Sequence, residues 1–313
     1  MAPSVFKFGP RRRAYGLYKP RVISPCVIAR VPPVGVVGSV GVCPCRVIRR
    51  HGPQSCRLCF DNAALPWHSP AARTFAASGE RWQLRPNPGY WGATNPRILV
   101  LGFSKGPTQN KIIDDYLDRR SSIRFEDIPF RGIRRNLRSV LLTLGLISER
   151  TSIDSLFMST ESVFGFSSLV RCSVAYFQRG KGEYIGADGN ILQVTISHRP
   201  GFVTTCIKRH LVDSLPASVA LVIVLGAGVR YVEGVRKLLG GRRLFESAAV
   251  SYAYMVNETP FVHVPHPSGG NNGAVAVFTV ERAPRGANEL GMVECRRQAL
   301  HAVRGVAGIT ASA

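Results

Sequence analysis

Short apolar runs alternate with longer amphipathic stretches from about residue 96 onward. This alternation is typical of βαβ units, in which helices connect the strands of a parallel sheet. Four strands are predicted, at residues 97–102, 167–176, 220–225 and 260–264. Because the connecting helices would cover both faces of the sheet, the pattern predicts an α/β fold, namely a three-layer α/β/α sandwich with a four-stranded parallel sheet.

Apolar residues recur at helical spacing between the predicted strands. Residues 132–146, 206–215 and 228–239 are therefore predicted to be helices. The apolar face of the first of them consists of Ile133, Leu137, Val140, Leu141 and Leu144. Residues 180–199 are polar, and the Asp188-Gly189 pair within them indicates a hairpin turn.

The first 50 residues contain ten Lys or Arg and no acidic residue, and they show neither helical nor strand periodicity. We therefore expect a disordered basic segment at residues 1–54, a folded domain at residues 55–305 and a short tail at residues 306–313. The basic segment is read as an arm that contacts phosphates, as an organellar transit peptide, or as a stretch upstream of the true start.

The charge of the chain indicates a polyanionic partner. Its 313 residues include 41 Lys and Arg against 19 Asp and Glu, which gives a formal net charge of +22. Nucleic acid is the first candidate for a partner of such a protein. The apolar runs, such as residues 219–227, are far shorter than the roughly 20 residues that span a bilayer, so a membrane is not expected as a partner.

Two loops are candidates for ligand binding, because ligands of open α/β sheets bind beyond the carboxyl ends of the strands. Residues 103–109 follow the first predicted strand, and glycines on either side of Ser104 allow the backbone to approach a ligand. This loop lacks the spacing of a P-loop or a dinucleotide fingerprint. Residues 265–273 follow the last strand and contain His266 between two prolines, a setting that suits a catalytic loop.

Seven short segments carry a resemblance to a known family when they are taken together and in order. They are residues 98–106 (ILVLGFSKG), 129–132 (PFRG), 141–146 (LLTLGL), 169–172 (LVRC), 206–211 (CIKRHL), 225–228 (LGAG) and 266–268 (HPS). The set resembles the motifs of the uracil-DNA glycosylase superfamily, most of all its iron–sulfur branch, family 4. The resemblance implies a uracil-DNA glycosylase-like fold and excision of a damaged or deaminated base from DNA.

The resemblance also implies roles for individual residues. His266 matches the histidine that stabilises the departing base, and Phe130 matches the ring that stacks on the flipped base. The family's water-positioning glutamate or asparagine falls on Phe103 or Ser104, of which Ser104 can hold a water. The asparagine that reads the uracil edge falls on Ser168. The predicted catalytic residues are His266 and Ser104; the predicted substrate-binding residues are Gly102, Phe103, Gly106, Phe130, Ser168, Ser268, Asn271 and Asn272.

Basic residues flank the mouth of this predicted site and are expected to contact DNA phosphates. They are Lys105, Arg131, Arg134 and Arg135. We expect a monomer that works on DNA in the cytoplasm, associated with the nucleoid. The sequence supports three hypotheses about function: a glycosylase of altered specificity, a non-catalytic DNA-binding relative, and an unrelated nucleotide-binding α/β protein.

The eight cysteines are too few and too unevenly spaced for a secreted disulfide scaffold, so reduced thiols are expected. The resemblance places Cys56, Cys59, Cys172 and Cys206 at the positions of cluster ligands, and four thiolates are what a structural [4Fe–4S] cluster needs. Zinc is the alternative, bound by these cysteines or with His51 or His68. Free thiols are the third interpretation. The remaining cysteines, read as small buried hydrophobic residues, are Cys26, Cys43, Cys45 and Cys295.

Overall fold

The computed structural model describes residues 50–56, 58–60, 65–69, 73–77, 79–119, 122–186 and 189–309. The predictions for residues 1–49, which include Cys26, Cys43 and Cys45, lie outside the described residues, as do Asp188 and residues 310–313. None of the described helices is long and apolar enough to cross a membrane.

The described part of the chain is a mixed α/β structure. Its strands are β1 (Gly52–Pro53), β2 (Arg73–Ala77), β3 (Glu80–Arg85), β4 (Gly89–Gly92), β5 (Ile98–Gly102), β6 (Phe164–Ser168), β7 (Ser173–Gln178), β8 (Glu183–Gly186), β9 (Leu221–Leu225), β10 (Arg242–Arg243), β11 (Ala253–Val256) and β12 (Thr259–Val264). Its helices are α1 (Pro107–Leu117), α2 (Arg134–Thr143), α3 (Gly189–His198), α4 (Gly201–Ile207), α5 (Val229–Leu238), α6 (Asn272–Phe278) and α7 (Ala287–Arg304).

The large sheet has eight strands in the order β1-β4-β6-β5-β9-β12-β11-β10. Its four inner strands, β6, β5, β9 and β12, are parallel to one another. Antiparallel strands continue the sheet on both sides, β4 and β1 beside β6, and β11 and β10 beside β12. The large sheet is therefore mixed and twice as wide as the predicted four-stranded parallel sheet.

Strands β5, β9 and β12 match three of the predicted strands, but the prediction of one strand at residues 167–176 is wrong. That stretch contains the end of β6 in the large sheet and the start of β7 in a second sheet, whose order is β2-β3-β7-β8. Leu169 and Val170 are buried in the connection between the two sheets. Because these two apolar residues continue the strand-like pattern, residues 167–176 were predicted as one strand although Arg171 and Ser173 interrupt the apolar run.

Two hydrophobic cores lie on opposite faces of the large sheet. Ile98 and Val100 of β5 belong to one core, together with residues of α1, α2, α6 and α7. Leu99 and Leu101 belong to the other, together with residues of α4, α5, β3 and β7. This division follows from the strand itself, since successive side chains point to opposite faces.

Residues 180–199 differ from their prediction. The turn of the hairpin lies between β7 and β8, where Lys181 N–H donates to Gln178 O over 3.0 Å. Gly189 begins α3 rather than a turn. The polar stretch thus contains a strand followed by a helix, and α3 runs beside the carboxyl ends of the parallel strands, where Leu192 lines a cavity.

The ordered structure extends past both predicted domain boundaries. Gly52 and Pro53 pair with β4, upstream of residue 55. Downstream of residue 305, the Arg97 guanidinium donates to Ala307 O over 3.0 Å and to Gly308 O over 2.9 Å. Ile309 is buried, so residues 306–309 belong to the packed structure.

Candidate functional site

A cavity of about 350 Å³ opens at the carboxyl ends of β5 and β6. Its walls come from the loop after β5, the loop of residues 128–133 before α2, the end of β6, Leu192 of α3, and the loop after β12. The volume lies in the range of about 300–1,000 Å³ that is usual for small-molecule sites. Both loops that the sequence indicated therefore meet at one site.

Nine of the predicted site residues line this cavity. They are Gly102, Phe103, Ser104, Gly106, Phe130, Arg131, Ser168, His266 and Ser268. Asn271 lines a neighbouring cavity of about 470 Å³, which shares Leu192 and His266 with the first. Asn272 Oδ1 instead accepts a hydrogen bond from Asn136 Nδ2 of α2 over 2.8 Å.

His266 is held as a neutral hydrogen-bond donor. Its Nδ1 accepts the backbone N–H of Ser268 over 3.2 Å, so the ring proton is carried by Nε2. Burial lowers the pKa of His266 below its usual value and favours the neutral ring. Asn136 Nδ2 of α2 donates to Pro267 O over 3.0 Å and so fixes the loop that carries His266. The imidazole, which lines the cavity, thus carries its hydrogen-bond donor at Nε2.

Phe130 also lines the cavity and has a left-handed backbone conformation, with φ of 56°. Such a conformation is uncommon for an aromatic residue and is often found at functional sites. Its ring contacts the rings of Phe157 and Phe166, with centroid distances of 5.8 Å and 6.1 Å. The ring is half-buried, which leaves part of it available to a ligand.

The prediction that Arg134 contacts phosphate is corrected by its surroundings. Its guanidinium donates to Pro129 O over 2.9 Å and pairs with Asp154 over 2.5 Å. It also lies 4.3 Å from the centre of the Phe157 ring. Because these contacts occupy the guanidinium, Arg134 holds the loop that carries Phe130. Arg131 and Arg135 are exposed beside the cavity.

Lys105 is also not a phosphate ligand, because its side chain is only 1% exposed. The ammonium turns away from the cavity and donates to the backbone oxygen of Arg171. Burial lowers its pKa to about 8. In the loop after β5, Ser104 therefore lines the cavity, whereas the side chain of Lys105 is buried in the protein.

Ser104 and Phe103 differ in what they offer to a ligand. The Phe103 ring is buried in the core, 6.3 Å from the ring of Tyr231 between centroids. Ser104 Oγ is buried and has no hydrogen-bond partner among the described residues. A buried hydroxyl without a partner is costly unless a ligand or water satisfies it. Ser168, at the end of β6, adds a second hydroxyl to the wall.

The cavity also contains residues that sequence reasoning did not assign. Gln109 and Thr108, in the first turn of α1, add an amide and a hydroxyl. Leu192 adds an apolar side chain from α3. The described lining includes no carboxylate. Gln109 could have been found from its place at the end of the loop after β5, whereas the helix that carries Leu192 was not predicted.

The four cysteines assigned to a cluster line one small cavity of about 20 Å³. Cys172 and Cys206 are buried, and burial raises the pKa of their thiols to about 12 and about 11. Cys206 Sγ accepts the backbone N–H of Arg171 over 3.3 Å. The fold thus brings cysteines that are more than a hundred positions apart in the sequence into the lining of one cavity.

The histidines of the zinc alternative lie elsewhere. His51 Nε2 is 3.2 Å from Glu126, and His68 Nε2 is 2.9 Å from Asp114. The histidine that lines the cysteine cavity is His210, whose Nε2 is 3.4 Å from Cys56 Sγ. Over the described ranges, no three or more His, Cys, Asp or Glu side chains are grouped so as to hold a single metal ion.

His263 was expected to be a packed or hydrogen-bonded core residue, and this expectation is confirmed. Its side chain is fully buried, with Nδ1 2.7 Å from Gly226 O and Nε2 3.0 Å from Tyr254 Oη. A neutral ring satisfies both contacts, because Nδ1–H donates to the carbonyl and Nε2 accepts from the phenol. Burial lowers the pKa of His263 to about 4.

We predict that His263 makes the protein less stable in mild acid. Unfolding returns the pKa of His263 to its usual value near 6.5. Between pH 6.5 and 4 the unfolded state therefore binds a proton at His263, whereas the folded state does not. Stability is therefore lost as the pH falls from about 6.5 toward 4, by about 1.4 kcal/mol per pH unit and about 3 kcal/mol in all. Urea unfolding at several pH values measures this slope. The slope should be clearly smaller in His263→Gln, where the other buried histidines, such as His266, still contribute; an equal slope in that variant would contradict the assignment.

Compared with known protein families and with curated proteins, the chain matches none.

Proposed function

We propose that this chain is a DNA glycosylase of the uracil-DNA glycosylase type, built on a three-layer α/β/α sandwich around the four inner parallel strands. The observation that carries the proposal is a cavity of about 350 Å³ lined by both Phe130 and the neutral His266, whose Nδ1 contact with Ser268 N–H leaves the ring proton on Nε2. DNA is the proposed partner, and a monomer is the proposed state.

Base excision requires the nucleotide to leave the duplex, which costs a few kcal/mol. Stacking of the flipped base on the Phe130 ring is worth about 1–3 kcal/mol and offsets much of this cost. The left-handed conformation of Phe130 and the contacts of Arg134 hold the ring in place before the base arrives. Ser168 and Gln109 provide hydrogen bonds to the base edge.

In the chemical step the bond between the sugar C1′ and the base nitrogen breaks, and its electron pair leaves with the base. Negative charge then develops on the base carbonyl oxygen, where Nε2–H of His266 donates. The sugar carries the complementary positive charge until water adds to C1′ and loses its proton to solvent. We assign that water to the hydroxyl of Ser104, which has no hydrogen-bond partner among the described residues.

The described lining has no carboxylate to stabilise the sugar cation or activate the water. A reaction in this cavity depends more on the departing base than on the attacking water. We therefore propose that the substrates are bases that leave readily, such as deaminated or alkylated bases, with His266 contributing most of the rate enhancement.

We also propose that Cys56, Cys59, Cys172 and Cys206 hold a structural [4Fe–4S] cluster. The four side chains line one cavity that is otherwise largely apolar, and each cysteine of such a cluster binds a different iron, so the thiolates are further apart than around a single ion. When bound, the cluster would supply cross-links between the segment before β2, the connection after β6, and α4. His210 would pack beside Cys56.

A strand-nicking screen tests the proposed function. Duplexes carrying uracil, hypoxanthine, xanthine or an alkylated base are incubated with the full chain and then cleaved at abasic sites. Base excision from one of these duplexes is the expected result. Binding of DNA without any cleavage would support the non-catalytic relative instead, and failure to bind DNA at all would favour an unrelated nucleotide-binding protein.

We predict that Arg131 and Arg135 contribute to DNA affinity through phosphate contacts, because both are exposed beside the cavity. Replacing both by glutamate should weaken binding and lower the slope of log affinity against log salt by about 2. Fluorescence anisotropy at several salt concentrations measures the slope. The double variant Arg242→Glu with Arg304→Glu has the same net charge and alters exposed arginines on β10 and α7. Equal slopes for the two double variants would show that the charge acts only globally.

A further inference from the structure

Two cationic side chains are buried beside the four cysteines. Lys105 is 1% exposed and Arg171 is 3% exposed. Arg171 lines the cysteine cavity, and its Nε has no hydrogen-bond partner among the described residues. The Lys105 ammonium donates to the backbone oxygen of Arg171, so it lies next to the residue that lines this cavity.

Buried charges are costly unless a charge of opposite sign is near. In the part of the chain that the structure describes, no carboxylate forms an ion pair with either side chain. Cys172 and Cys206 lie near enough to both cations, and Cys56 near enough to Arg171, for a negative charge on their sulfurs to stabilise the cations. Tyr90 acts on Arg171 as well, but its hydroxyl donates to Ala93 O over 2.7 Å and is therefore neutral. Among the described residues, only the cysteines are left to supply negative charge.

With neutral thiols, Arg171 would have no compensating negative charge among the described residues, and Lys105 would have only the face of the Trp91 ring, 5.9 Å from its Nζ, and the backbone oxygen of Arg171. Four thiolates around a doubly positive iron–sulfur core carry two net negative charges, and so do four thiolates around a zinc ion. We infer that Lys105 and Arg171 are the built-in countercharges of a four-thiolate metal centre at Cys56, Cys59, Cys172 and Cys206. This inference rests on the metal centre proposed above.

The arrangement also joins the metal centre to the substrate cavity. Lys105 directly follows Ser104, whose hydroxyl is buried at the cavity wall. Attraction between the Lys105 ammonium and the metal centre therefore fixes the loop after β5 on the side that faces away from the substrate cavity. Lys105 acts as a positioning residue for Ser104 rather than as a ligand of DNA.

The test measures how firmly the full chain retains its metal. Lys105→Met keeps the length of the side chain and removes its charge, whereas Lys105→Arg keeps the charge. Lys111→Met is the control, because the Lys111 side chain is 77% exposed on α1. Iron, sulfide and zinc are quantified, and metal release to a chelator is followed. Loss of a residue that supports metal ligands typically lowers metal affinity by about 10–100-fold, and this loss is expected for Lys105→Met alone.

The outcomes separate the inference from the proposal beneath it. If wild-type protein contains no bound metal, both the proposed metal centre and the countercharge role of Lys105 and Arg171 are wrong. Wild-type protein with metal, together with unchanged retention in Lys105→Met, would overturn the countercharge and leave the centre. If the centre contains iron, Lys105→Met should also lower its reduction potential, since a nearby positive charge favours the reduced cluster. Should Lys105→Met fail to fold, Arg171→Met provides the same comparison.

Discussion

Replacement of His266 by alanine is expected to slow base excision by about 10²–10³-fold, the usual cost of removing one donor that stabilises developing negative charge. The reason is geometric, because Ser268 N–H occupies Nδ1 and leaves the proton on Nε2 for the departing base. Single-turnover cleavage at saturating enzyme, on the best substrate of the screen, measures the loss. DNA affinity and its salt dependence should stay the same, since phosphate contacts dominate binding.

The control for this variant is His301→Ala, which removes an exposed imidazole from α7. It should cleave at the wild-type rate. Asn136→Ala is informative for a different reason, because Asn136 holds Pro267 O and Asn272 Oδ1 without lining the cavity. It should lower the rate less than His266→Ala does. An unchanged rate in His266→Ala would show that the histidine does not stabilise the leaving base.

Replacement of Cys56 by alanine is expected to abolish stable metal binding, from about four iron atoms per chain to a small residue. Cys56 lines the same cavity as Cys59, Cys172 and Cys206, and three remaining thiolates leave one iron without a protein ligand. Metal analysis and the iron–thiolate absorbance of protein prepared without oxygen provide the measurement. Limited proteolysis should then cut the segment before β2 sooner than the large sheet.

Cys295→Ala is the matched control for this loss. Cys295 is fully buried in α7 and donates to His263 O over 3.1 Å, so it is a thiol of similar kind outside the cysteine cavity. Its variant should be less stable yet keep its metal. Equal metal content in the Cys56 and Cys295 variants would exclude the proposed ligand set, and wild-type protein with zinc in place of iron would leave the ligands but change the centre.

Much of the parallel region was predictable because buried parallel strands are continuous apolar runs. Residues 221–225 (LVIVL) are a continuous apolar run and were predicted as a buried strand, and helices α2 and α5 were predicted from their apolar faces. The strands at the sheet edges were not predictable. β1 and β10 contain two residues each, too few to show any alternation. The second sheet was missed because Leu169 and Val170 continue the strand-like pattern of β6 toward β7, so the two strands were predicted as one.

At the site, the sequence indicated residues that follow strand ends, and the fold brings them to one edge of the sheet. Ser104, Ser168 and His266 meet in this way. The sequence did not indicate where long charged side chains point, since that depends on tertiary partners. Lys105 and Arg134 were assigned to the surface, yet the backbone oxygens of Arg171 and Pro129 draw them inward. His210 gave no signal, because a single histidine within a helical stretch has no distinguishing pattern.

The two ends of the large sheet bear on how the protein behaves at high concentration. An open strand edge can pair with another chain and start aggregation, and natural proteins counter this with short edge strands, proline and charge. β1 ends in Pro53, which has no N–H to donate, and β10 consists of Arg242 and Arg243. Intermolecular strand pairing is thus opposed by a missing donor at one end and by charge repulsion at the other.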